Sequence, residues 1–316
     1  MANSNIQAKC SNNTIEVAIP FGILRFNLYD NVAISDIFDV DATYTSYIKK
    51  DIYSINIGKQ NVNFQTKYYR EKLLEKGYYI GHHFGKRIQM KIEDRNVYLY
   101  QEEHDESCYK KFIWSYLFKY ILTVYALTND SLHLKGTALL NKSSQKALIV
   151  LGRGNSGKTT LCDMLVNTGK YSIISNTHLI LKNDEVWGIN SWRRKRDING
   201  NEIYEKPLSN YYGGPYKIEK IILVDKNNMN SFDTREINRD VAYVFVKFFS
   251  AAICNYDLKE DIFDYVGNHN INSFSNLCIR ENSLVTELLN KHSVFYLNYD
   301  LNINNILNHI LAYVKR

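Results

Sequence analysis

The chain has 316 residues, of which 45% are hydrophobic and 23% are charged, proportions that are typical of a globular protein and that argue against a disordered or fibrous one. The formal net charge of +6 permits an anionic ligand, but the basic residues form no dense face, so the charge does not favour binding to nucleic acid. The length is sufficient for two domains.

The cysteines and the hydropathy of the sequence indicate the cellular compartment of the protein. Five cysteines are scattered through the sequence without the spacing of a zinc site, which predicts reduced thiols in a cytoplasmic protein. The most apolar stretch, Phe112–Leu127, contains Lys119 and is shorter than the roughly 20 residues that a bilayer-spanning helix requires. We therefore predict a buried helix there and no membrane partner.

Residues 1–104 are predicted to form a small β-rich domain without a catalytic constellation. Apolar or alternating runs predict strands, namely Thr14–Ile19, Gly22–Leu28, Ile52–Ile57, Arg87–Ile92 and Val97–Tyr100. The first two runs flank Pro20, and the last two flank a short polar turn, so each pair predicts a hairpin. The charged stretch from Thr66 to Lys76 instead predicts a helix that ends at Gly77.

Residues 105–316 are predicted to form a second, α/β domain. A helix over Ser107–Leu127 leads into a strand pattern over Ser131–Leu140, and a turn at residues 141–144 returns the chain to the apolar run Ala147–Leu151. The later elements are a strand over Ile218–Val224, a helix over Arg239–Ile253, a helix over Ser283–Lys291, a strand over Val294–Leu297 and a helix over Ile303–Val314. His292 has no partner recognisable in the sequence.

The strongest signal follows Ala147–Leu151. The sequence GRGNSGKT over residues 152–159 has the pattern G-x-x-x-x-G-K-[ST], and a helical pattern begins directly after it. Strand, glycine-rich loop and helix in this order are the context that a Walker A phosphate-binding loop (P-loop) requires. A chance glycine-rich turn would not bring the motif together with both of its flanking elements.

The chemistry of ATP and Mg²⁺ binding explains why these residue types are needed. Glycines allow successive N–H groups to point towards phosphate oxygens, and the positive end of the following helix favours an anion. Lys158 can reach the β- and γ-phosphates, and the Thr159 hydroxyl can ligate Mg²⁺. The predicted nucleotide-binding residues are Gly152, Arg153, Gly154, Asn155, Ser156, Gly157, Lys158, Thr159 and Thr160.

The sequence also resembles the HPr kinase/phosphorylase family, in which an antiparallel hairpin precedes the P-loop. The matching positions are His133, Gly136, Ala138, residues 152–160, residues 165–169, the stretch Val186–Trp192 and the stretch Pro215–Asp225. The likeness covers roughly residues 105–310 and is most specific in the P-loop. The smaller relatives that it resembles are associated with peptide-modification clusters and carry a β-rich domain before the kinase domain.

This resemblance implies an α/β, HPr kinase-like P-loop nucleotide-binding domain of the phosphoenolpyruvate carboxykinase-like kind, preceded by a small β-rich domain. It implies a kinase that transfers the γ-phosphoryl group of ATP to a hydroxyl of a protein or peptide substrate. Because the family often oligomerises, it also favours a homo-oligomer.

One departure from the family concerns catalysis. The family carries an Asp-Asp pair at the end of the strand after the P-loop helix, where this chain has Asn176 and Thr177. Asn176 can ligate Mg²⁺ through its carbonyl oxygen but cannot take a proton at neutral pH. His178 is the nearest residue that could act as the base, although on a strand it would face away from Thr177.

Two other interpretations of this departure remain open. An acid can come from elsewhere, for which the candidates are Asp184, Glu185, Asp197 and Asp225. Alternatively the site is catalytically degenerate, and the chain is a nucleotide-binding accessory or regulatory protein that recruits a partner. The basic cluster Arg193–Arg196 suits either a phosphoryl group or an acidic partner, and the following residues 197–214 predict a long flexible loop.

Overall fold

The computed structural model describes residues 9–11, 14–28, 51–58, 68–69, 72–75, 78–83, 86–93, 95–101, 118–189, 193–196, 199, 202–205, 213–250 and 271–315. The chain forms two compact units. The first contains residues 1–129 and 251–280, and the second contains residues 130–250 and 281–316. The predicted domain boundary between residues 104 and 105 lies outside the described residues and stays a prediction.

A mixed sheet dominates the described part of the first unit. Its strands are β1 (Lys9–Ser11), β2 (Thr14–Ile19), β3 (Gly22–Leu28), β4 (Ile52–Gly58), β5 (Tyr68–Tyr69), β6 (Lys72–Glu75), β7 (Tyr78–His83), β8 (Lys86–Glu93) and β9 (Asn96–Gln101). They are ordered β1-β2-β3-β4-β9-β8-β7-β6-β5. The pairs β3–β4 and β4–β9 are parallel, whereas the other neighbours are antiparallel.

The two predicted hairpins of this unit are confirmed. β2 pairs with β3 across Pro20, and β8 pairs with β9. The helix predicted from Thr66 to Lys76 is wrong, because β5 and β6 form there and β6 pairs with β7. Pairing with a neighbouring strand overrides the local charge pattern in this segment.

Helix α1 (Phe118–Thr128) belongs to the first unit. It confirms the predicted helix over the residues that the two ranges share, while residues 107–117 lie outside the description. The ring centroids of Tyr125 on α1 and Tyr53 on β4 are 4.6 Å apart. The Tyr53 hydroxyl also accepts a 2.9 Å hydrogen bond from the Asn129 amide, so α1 is fixed against this part of the sheet.

The second unit is built around another mixed sheet. Its strands are β10 (Leu132–Lys135), β11 (Thr137–Asn141), β12 (Lys146–Leu151), β13 (Tyr171–Ser175), β14 (His178–Lys182), β15 (Glu185–Ile189), β18 (Tyr216–Lys226), β19 (Phe232–Glu236) and β20 (Val294–Tyr299). The order is β10-β14-β15-β18-β12-β11-β13, and β20 pairs with both β18 and β19. The two remaining strands, β16 (Arg193–Arg196) and β17 (Glu202–Glu205), pair with each other.

Two apolar clusters cover opposite faces of this sheet. On one face, Leu148 and Val150 of β12 pack with helix α2 (Lys158–Asn167) and helix α5 (Ile306–Lys315). On the other face, Ala147, Ile149 and Leu151 pack with β10, β14, helix α3 (Arg239–Ser250) and the part of helix α4 (Ile271–Lys291) that belongs to this unit. Because β12 is covered on both faces, it is a continuous apolar run, as buried strands usually are.

A buried lysine contributes to the attachment of α5. Lys220 on β18 is 8% exposed, and its ammonium group donates a 3.1 Å hydrogen bond to the Tyr313 carbonyl. The same ammonium lies 4.8 Å from the Phe295 ring centroid and 5.1 Å from that of Tyr313. Burial lowers the pKa of Lys220, and the carbonyl and the two rings offset part of the cost of burying its charge.

Several predictions for the second unit need correction. The strand pattern from Ser131 to Leu140 is divided at Gly136, where the chain leaves β10 and begins β11. Residues 197–214 are not simply a loop, because β17 forms within them and pairs with the basic strand β16. The helix predicted to begin at Ser283 begins at Ile271. The strand β19 was not predicted, since its sequence FDTRE lacks an apolar pattern.

The structure is therefore a mixed α/β protein, as predicted for the fold class in its broad sense. Among the helices that it describes, none combines the length and the hydropathy needed to cross a bilayer.

Candidate functional site

The P-loop lies at the end of the second unit's sheet, where β12 reaches its carboxyl terminus. β12 is flanked by β18, which runs parallel to it, and by β11, which runs antiparallel. Residues 152–157 leave the carboxyl end of β12 and lead directly into α2. The antiparallel hairpin predicted before the P-loop is confirmed by the β11–β12 pairing. The loop thus begins from a strand that its neighbours hold on both sides.

Left-handed backbone conformations bend the loop into the helix. Asn155 has φ 64° and Gly157, the N-terminal capping residue of α2, has φ 85°. Glycine adopts such angles without a steric penalty, and asparagine tolerates them better than most residues. The first turn of α2 contains no acidic residue, and Gly157 has no side chain that could cap the helix. The first N–H groups of α2 therefore remain available to an anion.

Gly152 is required by close packing. A Cβ atom at this position would lie 2.4 Å from the Ser156 hydroxyl and 2.7 Å from the Val224 carbonyl oxygen. Both distances are too short for a carbon atom, so any side chain would force the loop away from β18. A Cβ at Gly154 would meet nothing within 4 Å, which leaves the middle of the loop with open space in front of it.

Lys158 folds back over this loop. Its ammonium group donates hydrogen bonds of 2.6 Å to the Gly152 carbonyl and 2.7 Å to the Arg153 carbonyl. An ammonium group has three donors and no acceptor, so phosphate oxygens can take the place of these carbonyls or add to them. The charge of Lys158 is thus already placed above the loop.

The Ser156 hydroxyl is an unusual polar atom in the same loop. Ser156 is 6% exposed, and its Oγ atom has no hydrogen-bond partner within the described part of the chain. A buried polar group without a partner costs about 1–3 kcal/mol. A polar ligand seated in the loop would remove this cost.

Tyr299 on β20 forms a hydrogen bond with the last residue of the loop. This residue is fully buried on β20, and its hydroxyl donates a 2.9 Å hydrogen bond to the carbonyl of Gly157. Burial, with a smaller contribution from Cys162, raises the pKa of Tyr299, so the hydroxyl keeps its proton and remains a donor. A Cβ on Gly157 would lie 2.7 Å from this hydroxyl, which excludes other residues at the start of α2.

The outer surface of the loop is open to solvent. Arg153, Gly154, Asn155 and Thr159 are exposed, and Thr160 is half-buried. All nine residues predicted to bind the nucleotide thus lie in one continuous segment, whose inner side packs on the sheet and whose outer side is accessible.

Asn176 and Thr177 lie at the same end of the sheet as the P-loop, but they are not part of a strand. They form the turn between β13 and β14, which corrects the expectation that they end a strand. Thr137 on β11 donates from its hydroxyl to the Asn176 carbonyl at 3.2 Å, and Thr137 is the register partner of Val150 on β12. Asn176 is therefore close to the point at which the P-loop begins, as its predicted metal-binding role requires.

The structure places His178 in the interior. Its side chain is fully buried, its Nδ1 atom lies 3.0 Å from Nε2 of His133, and the two rings are stacked with centroids 5.2 Å apart. His133 is also buried, at 3% exposure. A base must reach the hydroxyl whose proton it takes, and a fully buried ring does not do so in this arrangement. The catalytic role of His178 stays a prediction without geometric support.

The four carboxylates proposed as substitutes are not equivalent. Asp184 and Glu185 lie at the opposite end of the sheet from the P-loop, because Glu185 pairs with Lys217 near the beginning of β18. Asp184 contacts the Nε2 atom of His292, a partner that the sequence alone did not identify. Asp197 lies outside the described residues.

Asp225 lies on the strand beside the P-loop strand, but on the face of β18 opposite α2, because Val224 packs in the cluster that contains Leu161 and side chains alternate along a strand. It follows Val224 at the carboxyl end of β18, the parallel neighbour of β12, and it is exposed there. The sequence contained a signal for it, since four apolar residues, 221–224, precede the aspartate. That signal became specific only when β18 was seen to lie beside the P-loop strand.

Polar residues of β19 and β20 surround Asp225. Its register partner is Asn298, which in turn faces Asp233. Burial raises the pKa of Tyr296, and the negative charge of Asp225 raises it further. Sequence reasoning missed Tyr296, Asn298 and Tyr299, because only the pairing of β20 with β18 brings them to this edge.

Two predicted features remain to be located, the basic cluster and a metal site. Residues Arg193–Arg196 form β16, and the directions of their side chains lie outside the description. Within the described ranges, no three His, Cys, Asp or Glu residues are grouped in a way that could hold a metal ion.

Comparisons with known proteins add no further assignment. No protein-family model matches the chain, and the search of curated proteins returns no match.

Proposed function

We propose that the chain binds ATP with Mg²⁺ and transfers the γ-phosphoryl group to a hydroxyl of a protein or peptide, in the manner of an HPr kinase-like enzyme. The proposal includes the HPr kinase-like fold of the second unit and a cytoplasmic location. In the transfer, the bond from the γ-phosphorus to the bridging oxygen breaks, a bond to the acceptor oxygen forms, the hydroxyl proton leaves and ADP is released.

The observation that carries the proposal is the geometry of residues 152–158. A glycine-rich loop connects a buried strand to a helix whose first N–H groups have no capping side chain. The Lys158 ammonium lies over the same loop. Oriented N–H groups, the positive end of a helix and a lysine together suit the phosphates of a nucleotide.

The residues also fit the Mg²⁺ complex of ATP chemically. The buried Ser156 hydroxyl lacks a partner, and the space in front of Gly154 is open. Thr159 is exposed in the first turn of α2, where its hydroxyl would hold Mg²⁺, and Asn176 would contribute a carbonyl oxygen. Bound Mg²⁺ neutralises charge on the β- and γ-phosphates, while Lys158 adds a positive charge from the protein.

A second candidate function is favoured by the residues at the β13–β14 turn. Asn176 and Thr177 occupy the place at which the family that the sequence resembles has its two aspartates. Without a carboxylate to take the proton, the chain would bind a nucleotide and use it to recruit a partner. Binding of ATP is common to both candidates, whereas phosphoryl transfer belongs only to the first.

Transfer of label from γ-³²P ATP tests the proposal. Purified protein is incubated with a lysate of its host cells, with Lys158→Ala protein as the control. The kinase proposal expects a labelled protein or peptide band that requires Lys158. Nucleotide affinity is measured separately on the same preparations.

The combination of results separates the two candidates. ATP binding without a labelled band would favour the accessory protein over the kinase. Equal ATP affinity of wild type and Lys158→Ala, together with equal turnover, would overturn the assignment of residues 152–159 as the nucleotide-binding loop.

A further inference from the structure

We propose that Lys226 is a second phosphate-binding lysine, whose ammonium group contacts the phosphates of the nucleotide that the P-loop and Lys158 hold. This inference rests on the proposed binding of ATP and concerns a residue outside the Walker A motif. It assigns to Lys226 a contact with the negative charge of the ligand, and no role in moving the proton of the acceptor.

The side chain of Lys226 lies on the face of the sheet that α2 covers. Side chains alternate between the two faces of a strand, so Lys226 shares a face of β18 with Val224. Val224 packs in the apolar cluster that contains Leu161 and Leu165 of α2. Lys226 is therefore on the side of the P-loop helix, whereas Asp225, one residue before it, is on the opposite side.

Lys226 begins directly beside the residue that caps α2. A Cβ atom on Gly157 would lie 3.2 Å from the Cβ atom of Lys226. The residue is exposed, and a lysine carries its ammonium group on a flexible four-carbon stem. From this position the stem extends along the beginning of α2, where the N–H groups without a capping side chain lie.

Positive charge collects at this end of the sheet. Lys158 holds its ammonium group over the loop, and the first turn of α2 contains no acidic residue. The Lys226 ammonium forms no hydrogen bond or ion pair with a residue in the described ranges. Because like charges repel each other, two ammonium groups beside the positive end of a helix favour a ligand with several negative charges, such as the phosphate chain of a nucleotide.

The nearby carboxylate of Asp300 leaves Lys226 available to a ligand. Hydrogen bonds from the N–H groups of Asn302 and Asn230 lower the pKa of Asp300, and the charge of Lys226 contributes least to this effect. Asp300 is 2% exposed and its two oxygens accept those N–H groups, so this carboxylate serves the local turns.

The Ser156 hydroxyl is an independent observation that points to a ligand here. Ser156 is 6% exposed, and its Oγ atom has no hydrogen-bond partner within the described part of the chain. The Cβ position on Gly152 lies 2.4 Å from this Oγ atom and 2.7 Å from the Val224 carbonyl oxygen. The hydroxyl is thus close to the end of β18, two residues before Lys226. A phosphate oxygen that accepts its hydrogen lies on the side of the loop at which Lys226 leaves the sheet.

The test compares two ligands that share only their phosphates. Isothermal titration measures the affinities of wild type, Lys226→Gln, Lys226→Arg and Arg235→Gln for ATP and for inorganic tripolyphosphate, each in the presence of EDTA. Arg235→Gln is the matched control, because it removes one positive charge from β19 on the face that Asp225 shares, where Arg235 lies 5.4 Å from the Tyr296 ring centroid. Thermal unfolding verifies that each variant is folded.

We expect Lys226→Gln to bind ATP about tenfold more weakly, as the loss of one hydrogen bond between charged groups predicts. Its affinity for tripolyphosphate should fall by the same factor, because Lys226 contacts the phosphates and not the nucleoside. Lys226→Arg keeps the positive charge and should retain most of the affinity for both ligands. Arg235→Gln should bind both ligands as wild type does.

Unchanged affinity of Lys226→Gln for both ligands would overturn the inference and leave the proposed function standing. An equal loss in Arg235→Gln would also overturn it, since the effect would then come from the net charge of the protein. A loss for ATP without a loss for tripolyphosphate would overturn it as well, because the contact would then be with the nucleoside. Absence of ATP binding by wild type would instead overturn the proposed function and this inference together.

Discussion

The hydroxyl of Tyr299 donates a 2.9 Å hydrogen bond to the carbonyl of Gly157, which joins β20 to the residue at which the P-loop becomes α2. Leu161 and Leu165 are fully buried against the same cluster as Tyr299. Burial of each leucine contributes about 1.5–3 kcal/mol, more than the roughly 1 kcal/mol of one hydrogen bond. Packing therefore anchors the helix, and Tyr299 sets the position of its first residue.

Tyr299→Phe should lower the free energy of unfolding by about 1 kcal/mol and weaken ATP binding, because the carbonyl of Gly157 then keeps only the hydrogen bond from the Leu161 N–H. Tyr313→Phe is a matched control, since that hydroxyl donates to the Tyr296 carbonyl at 3.2 Å. Both variants lose one hydroxyl, but only Tyr299 touches the loop. Chemical denaturation and ATP titration measure the two effects, and equal ATP affinity in the two variants would contradict the role given to Tyr299.

Gly152 at the start of the loop and Gly154 in its middle should respond differently to substitution by alanine. Gly152→Ala places a Cβ against Ser156 and the β18 backbone and should destabilise the fold by about 1–3 kcal/mol through overpacking. Gly154→Ala meets open space and should leave the melting temperature unchanged while weakening ATP binding, because its methyl group enters the space predicted for phosphate. Unaltered ATP affinity in a stable Gly154→Ala protein would contradict the predicted cradle.

Asn176→Asp restores a carboxylate at the β13–β14 turn. If Asn176 lies at the metal, the additional negative charge should increase phosphoryl transfer or ATP hydrolysis at saturating Mg²⁺. Steady-state rates of ADP release from wild type and variant provide the measurement. An unchanged rate would count against the placement of Asn176 at the metal.

The hydrogen bonds of Asp300 predict that the free energy of unfolding depends on pH. Hydrogen bonds from the N–H groups of Asn302 and Asn230 lower its pKa below the ordinary 3.8. A lowered folded-state pKa means that its stabilisation is present above pH 3.8 and is lost as the pH falls through the folded-state value. Asp300→Asn should therefore be less stable than wild type near neutral pH.

The difference between wild type and Asp300→Asn should shrink as the pH falls below about 4. Urea denaturation of both proteins between pH 3 and pH 7 measures it. A difference that stays constant across this range would show that the N–H groups bind asparagine and aspartate at position 300 equally well.

The sequence predicted the loop and its flanking elements because their information is local. A buried strand, a run of glycines and a helix start are each encoded by neighbouring residues, as the agreement over residues 147–167 shows. The hairpin over Thr14–Leu28 was predictable for the same reason, since Pro20 marks its turn.

Long-range pairing explains what could not be predicted. Asp225 was one of four candidates, and only the parallel pairing of β18 with β12 shows that it lies near the end of the strand beside the P-loop strand. Residues 66–76 have a helical charge pattern, yet β6 pairs with β7. His178 was a candidate base because it follows Thr177, but its stacking on His133 depends on the pairing of β14 with β10.

The path of the chain between the two compact units has a practical consequence for dissecting the protein. The chain passes from one unit to the other after residues 129, 250 and 280, so a single cut cannot release either unit intact. A fragment beginning at Asp130 would retain residues 251–280 while losing the rest of the unit to which they belong. Deletion of the N-terminal half should therefore yield an aggregating fragment, whereas a short linker replacing residues 251–280 gives the P-loop unit a continuous chain of its own.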